Sequence, residues 1–473
     1  MRQMPHFRLR LLPAAVCAVL LSGCATFSQD GGLGAVSALT EQRTGQPVSR
    51  PASADTATAN AERVSALLKQ PLDPNTTVQI ALLNNRDLQA SFAELGVAEA
   101  DFVQAGRMRN PGFSFQHLRN GESLEIDRSV TFDLIGLLTI PLRSGIEQRR
   151  FEQAKLQAAL TAVQLAADAR SAYFEAVAAR QTARYMEQVQ SAAQASAELA
   201  TRMAQAGNWS KLDQAREQAL YAEATAQVAR SRQNAVASRE QLTRLLGLWG
   251  DGTSFTLPDR LPDLPRSATE IINLESQAMT QRLDIQMAKR DADATAKGLG
   301  LTRASGFINV LDAGYANKSQ SGSPRENGYQ ISLELPIFDW GRARTAKAEA
   351  LYMQAVHRTA ATAIRARSEV REAYSAYRTS YDLAKHYRDE VVPLRRKISD
   401  EVLLRYNGML ASVFELLADS REQANSVNTA IEAQRDFWLA DTRLQGAING
   451  AGNDATPASR TTPSAGQPAK NKH

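Results

Sequence analysis

Few residues in this chain have the type and spacing to do chemistry. Five histidines, His6, His117, His357, His386 and His473, are scattered with no pair at metal-ligand spacing. Gly298 and Gly300 lack the third glycine of a dinucleotide loop and end a helical stretch, so they read as a turn before the next strand. The serines have no nucleophile-elbow sequence around them. Carboxylates are as frequent as a charged helix surface supplies. That leaves Cys17, inside an apolar run, and Cys24, directly behind Leu21-Ser22-Gly23. The expectation is a chain without catalytic residues, without a cofactor and without a metal, in which one thiol is placed for covalent modification.

The residues before Cys24 say which modification. Arg2, Arg8 and Arg10 precede an apolar run from Leu11 to Leu21, too short to span a bilayer as a permanent helix. This is the layout of a secretory signal peptide, residues 1–23. Small residues leading into a cysteine resemble the bacterial lipobox, in which the sulfur takes a diacylglycerol and the cysteine becomes the mature N-terminus. Several acyl chains together anchor stably to a membrane. Ala25 stands where an aspartate would resemble an inner-membrane retention signal, so outer-membrane delivery is expected. Removing the signal takes Cys17 and three arginines, which lowers the net charge from +5 to +2. Acidic and basic residues alternate along the rest, a solvated helical surface rather than a nucleic-acid footprint.

The elements that must carry any function are helices of unusual length. The composition is rich in Ala, Gln, Arg, Glu and Leu with 6% aromatics, the signature of long helices and coiled coils. Ile146–Ala206 contains neither Gly nor Pro, and Arg342–Asn407 contains only Pro393, which predicts a kink. Each stretch would reach roughly 90–100 Å. Each is followed by a shorter run, Leu212–Leu246 and Val413–Ile448, making two helical hairpins with narrow, alanine-rich seams. Residues 24–75 read as an extended or loosely packed arm with one short helix near Ala61–Lys69, and residues 450–473 as a disordered tail.

Strand patterns occur twice, at about 112–142 and 306–338. Val130, Phe132 and Leu134 alternate with Thr131 and Asp133, and Tyr329, Ile331, Leu333 and Leu335 alternate with Gln330, Ser332 and Glu334. In a membrane barrel the apolar face meets lipid and the polar face lines water, which puts Asp133 and Glu334 in the lumen.

The chain is written twice. Asp87-Leu88-Gln89 recurs as Asp284-Ile285-Gln286, and Gly112-Phe113 as Gly306-Phe307. Leu138-Thr139-Ile140-Pro141 recurs as Leu333-Glu334-Leu335-Pro336, and Arg170-Ser171-Ala172-Tyr173 as Arg371-Glu372-Ala373-Tyr374. Ser210-Lys211-Leu212-Asp213 recurs as Ser412-Val413-Phe414-Glu415, with offsets between 194 (306 − 112) and 202 (412 − 210). The repeats span 76–248 and 270–449, joined by a linker at 249–269. Two strands per repeat make only a marginal hairpin, and four per chain cannot close a pore, so several copies must combine.

Leu335-Pro336-Ile337-Phe338-Asp339-Trp340-Gly341 and Ala411-Ser412-Val413-Phe414-Glu415-Leu416-Leu417-Ala418-Asp419-Ser420-Arg421 resemble the TolC-like outer-membrane efflux family, and more narrowly its lipoprotein branch. The resemblance covers roughly Leu72 to Gly450. It implies a mainly α fold: a homotrimer with an outer-membrane β-barrel, a periplasmic α-helical barrel, and an equatorial belt built from 249–269 and the arms. It implies a passive exit duct for an inner-membrane transporter joined through a periplasmic adaptor protein. The gate and the adaptor docking site would then lie at the hairpin tips, with Arg202, Ser210, Asp213, Arg405, Tyr406, Ser412 and Glu415 as candidates. Many members have glycine where Met409 stands. The alternative is a lipid-anchored periplasmic adaptor or coiled-coil scaffold, which would flank one hairpin with compact β domains.

Overall fold

The computed structural model describes residues 26–51, 53–304, 311–333 and 340–452. Cys24, the signal segment, Glu334 and nearly all of the 450–473 tail lie outside the described residues.

The first repeat opens with α3 (Pro74–Asn84) and α4 (Arg86–Ala105), followed by β1 (Gly112–Asn120) and β2 (Ser123–Asp133). Then come α5 (Leu134–Gln205) and α6 (Lys211–Leu245). The second repeat has α7 (Leu274–Gln281), α8 (Leu283–Ala304), β3 (Leu311–Gln320), β4 (Glu326–Leu333), α9 (Arg342–His386), α10 (Val392–Asn407) and α11 (Val413–Asn449). At 72 residues, α5 extends ~108 Å. Between α9 and α10 a single π turn, Tyr387–Val391, takes up the Pro393 discontinuity. Proline has no N–H and crowds the preceding turn, and one wider turn relieves both problems without ending the helix.

The helices form four columns. Along the tip half, α6 packs on α5, α5 on α11, and α11 on α9 and α10; in the other half α4 packs on α5, and α8 on α5 and α9. So α4 continues the line of α6, and α8 that of α11. Both junctions are fastened in the same way. Asn84 and Asn85 donate from their side-chain amides to the carbonyls of Leu246, Gly247 and Leu245 at 2.8–3.0 Å. In the second repeat Arg282 reaches the Ala447 carbonyl at 2.9 Å. Its guanidinium is buried and pairs with Asp284 and Glu369, each at 2.7 Å.

A belt whose one helical piece is a 3-10 turn, Gly250–Thr253, crosses the columns between α6 and α7. Phe255, Leu257, Leu261 and Leu264 are buried against them. Arg180 bonds the Leu257 carbonyl and Asp259, Trp438 donates to the Pro262 carbonyl at 3.0 Å, and Tyr381 to that of Arg266 at 2.9 Å. Phe174 stacks on Trp438 at 5.2 Å, joining α5 to α11 inside the belt.

The strands make one antiparallel sheet in the order β1-β2-β3-β4, with β2 of the first repeat paired to β3 of the second. Register separates the faces. Phe113, Val130, Tyr315 and Tyr329 lie opposite one another, and Phe132, Ala313 and Ile331 continue that face. The other face carries Glu125, Asp127, Asp133, Asp312 and Glu326, with Lys318 paired to Glu125. Among the described residues, both outer strands present a free hydrogen-bonding edge within one chain.

Three expectations need correction. The strand pattern at 112–142 ends at Asp133, because that side chain accepts the Gly136 N–H at 2.6 Å and caps α5, so Leu134–Leu142 is helical. Gly298 and Gly300 lie within α8, not in a turn. The 24–75 arm is more ordered than its composition suggests. It contains α1 (Leu33–Thr44) and α2 (Ala54–Leu68), the latter opened by a Ser53–Thr56 capping box. Val36 and Thr40 of α1 are fully buried, and α1 packs on α5.

Candidate gate at the hairpin tips

Each long helix turns into its shorter partner through the same device. At the first tip Gly207 takes φ +78°, Asn208 N–H bonds the Met203 carbonyl at 2.9 Å, and Gly207 N–H bonds that of Ala204 at 3.1 Å. At the second, Met409 takes φ +60°, Leu410 N–H bonds the Arg405 carbonyl at 2.7 Å, and Met409 N–H bonds that of Tyr406 at 3.0 Å. Both are Schellman motifs, whose left-handed position favours glycine. Met409 therefore holds a glycine conformation at the cost of a Cβ clash.

The next helix starts the same way at both tips. The Ser210 hydroxyl accepts from Asp213 N–H at 3.1 Å and donates to the Asp213 carboxylate at 2.6 Å. The Ser412 hydroxyl accepts from Glu415 N–H at 3.2 Å. Asp213 also pairs with Arg216 at 3.3 Å, and Arg405 with Glu401 at 3.2 Å. Arg202 is exposed in the last turn of α5, and Tyr406 is half-buried. Within one chain, then, the polar candidates read from the sequence serve their own tip.

Other residues join the two tips. Trp209 stacks on Phe414 with ring centres 4.9 Å apart and planes 11° off parallel. Farther from the tip, Glu217 on α6 is 3% exposed, accepts from Ser196 on α5 at 2.7 Å, and pairs with Arg421 on α11 at 3.1 Å. Removing either partner would leave a buried polar group without its contact, which is costly. Ser399 on α10 bonds Asp419 on α11, and Arg395 pairs with Glu422 at 3.2 Å. Sequence reasoning missed Trp209, Glu217 and Arg421. Trp209 next to the Ser210 cap, one of two aromatics at equivalent turns, was the available signal; Glu217 has the spacing of an ordinary surface acid. The turn apex is apolar and open, with Met409 94% and Leu410 81% exposed.

Above the tips, an open cleft of about 810 Å³ between the repeats is lined by Asp87, Asp168, Glu175, Glu369, Glu372 and Asp436, with Arg244 and Arg443. Burial pushes the Asp168 carboxyl above its ordinary range. Burial likewise raises Asp441 on α11, partly offset by Arg170. Among the described residues no cluster of His, Cys, Asp and Glu could hold a metal ion, and no helix is long and apolar enough to cross a membrane.

This architecture has known counterparts. The CmeC outer membrane channel of Campylobacter jejuni matches with TM-score 0.69 and 16% identity over 80% of this chain and 86% of that one. The outer membrane protein VceC of Vibrio cholerae matches with TM-score 0.66 and 16% identity over 85% and 99%. The MtrE outer membrane channel of Neisseria gonorrhoeae, solved in its open state, matches with TM-score 0.65 and 17% identity over 80% and 89%. No curated protein matches the sequence. The sequence pattern of the outer membrane efflux protein family matches residues 274–450, the second repeat, and the chain as a whole carries the TolC-like fold of these outer-membrane channels.

Proposed function

We propose that this protein is the outer-membrane channel subunit of a tripartite export system. It conducts substrate passively from an inner-membrane transporter, reached through a periplasmic adaptor protein, across the periplasm and outer membrane. The observation that carries this reading is the sheet: one apolar face, one acidic face and two open edges, at the end of helices ~100 Å long. A sheet of that kind avoids unpaired edges in lipid only by closing with other copies. A homotrimer supplies them. Cys24, diacylated, adds a lipid anchor in the same membrane.

The tips act as the periplasmic gate and adaptor-docking end. In the trimer, the exposed Arg202, Arg405 and Glu415 face neighbouring copies, while the Trp209–Phe414 stack and the Glu217–Arg421 pair keep the two hairpins of one chain together. Opening has to separate or slide these contacts. Asp133 lies on the acidic face of the sheet, and with Glu334, read from the sequence alternation alone, it gives the lumen a mild cation preference.

Native mass measurement of the detergent-purified protein tests the assembly. A trimer whose gel migration changes on heating supports the channel. A monomer sinks it, because four strands cannot enclose a pore.

A further inference from the structure

The sheet sorts its charges by face. Every carboxylate on the described residues of β1 to β4 lies on the acidic face, and Lys318 stands among them, paired with Glu125. The aromatic face has no acid. It nevertheless carries Arg128 opposite Phe115, His117 opposite Ile126, and Arg119 opposite Leu124. All three are exposed, and the Arg119 Nε donates to the Gly121 carbonyl at 3.4 Å. The turns at 121–122 and 321–325 add one acid, Glu122, and one base, Arg325, and so leave the basic excess of this face in place.

These basic residues follow the apolar band in a fixed order. Tyr315 and Tyr329 lie in the row of Val130, with ring centres 6.4 Å apart. Toward the helices the same face is wholly apolar, through Ile331 to Leu333. Tyrosines at the edge of an apolar band mark the level where a barrel wall leaves the hydrocarbon. Arg128 stands one row nearer the turns, beside Asn317 and Asn327, which bond each other at 2.6 Å. His117 is one row further and Arg119 one more. The two arginine positions therefore lie ~13 Å apart along the strands with His117 between them. Like charges set in a row without an acid on their face repel one another unless a partner supplies the negative charge.

We infer that Arg128, His117 and Arg119 form a docking strip, one on each copy, for the phosphate-bearing headgroups of outer-membrane lipid in the outer leaflet. This rests on the channel reading, which puts the helices in the periplasm and the strand turns outside. The aromatic face then meets lipid, and the strip stands where the acyl chains give way to headgroups. A guanidinium fork matches two phosphate oxygens at once, and an imidazole N–H supplies a further donor. The acids on the opposite face point into the lumen and do not compete for the strip.

The test uses the full-length protein in detergent, titrated with lipid A, a phosphorylated glycolipid, and read by native mass measurement. Arg119→Gln combined with Arg128→Gln should weaken retention of lipid A roughly 30-fold at low salt. Arg119→Lys combined with Arg128→Lys keeps the charge but loses the planar fork, so it should fall between the parent and the Gln pair; it decides the matter if the Gln pair perturbs the sheet. Lys318→Gln removes a base from the other face and should change nothing. Lipid A stripped of its phosphates should bind the parent no better than the Gln pair binds lipid A. Equal retention by the parent and both double variants overturns the strip, and so does an equal loss in K318Q. Displacement of lipid A by inorganic phosphate at matched concentration would mark a free-anion site and overturn the lipid assignment. The same spectra count the copies: a monomer sinks the channel reading, while the comparison of parent with variants still decides whether the strip holds phosphorylated lipid.

Discussion

Replacing Arg421 with alanine leaves the Glu217 carboxylate at 3% exposure with the Ser196 hydroxyl as its remaining partner. A buried charge stripped of its counter-ion costs several kcal/mol. Here Arg421 itself is 43% exposed, so water screens the pair and can partly replace the guanidinium. The expected loss is therefore about 1–3 kcal/mol. The pair bridges α6 and α11, so this cost falls on the arrangement that holds the two hairpins of a chain together. If opening separates the hairpins, losing the pair moves the closed–open equilibrium roughly 5–150-fold toward open. Single-channel recording in planar bilayers reads this as open probability. Glu217→Leu combined with Arg421→Leu removes both charges and should restore much of the thermal stability, since an apolar pair of similar volume is near neutral. It should also bring the open probability most of the way back to that of the parent, because the uncompensated charge that penalised the closed arrangement is gone. Unchanged open probability in R421A, or single effects that simply add in the double variant, would refute the coupling.

Three further outcomes follow from the same geometry. Met409→Gly relieves a left-handed backbone and should stabilise the second tip by about 1 kcal/mol, visible as slower hydrogen exchange at 403–412. Arg282→Met keeps the volume but leaves Asp284 and Glu369 facing each other, so a loss of about 3–5 kcal/mol is expected, with a lower melting temperature of the assembled protein. Asp168 binds its proton more tightly folded than unfolded, so stability falls as pH rises from its ordinary value through its raised folded one. Asp168→Asn should therefore be more stable than the parent at pH 7 in a thermal melt, with the difference shrinking as the pH is lowered through that window.

Much of the fold was legible because it is governed by long-range patterns. A glycine- and proline-free stretch ended by Gly207 fixed the first hairpin, and the Ser210/Ser412 offset placed the second tip. Period-two alternation placed β2 and β4, and the register carries it across the sheet. The failures were local contests. Leu138-Thr139-Ile140-Pro141 has strand-like residues, yet the Asp133 cap decides for helix. The arm is poor in hydrophobes, but a few of them, Val36 and Val48 among them, are buried in the core shared with α4 and α5, a tertiary effect that composition does not show. At the tips, the sequence marked the caps and turns correctly as positions, while the groups that join the hairpins, Trp209, Phe414, Glu217 and Arg421, depend on which columns become neighbours.

Whether this chain forms a gated pore is decided by the conductance of the purified protein in a planar bilayer. A gated pore should show small, fluctuating openings that enlarge when Asp213 and Glu415 are neutralised, with a reversal potential favouring cations that weakens when Asp133 and Glu334 become Asn and Gln. A stable protein that inserts and never conducts, in the parent or in the tip variants, would contradict it.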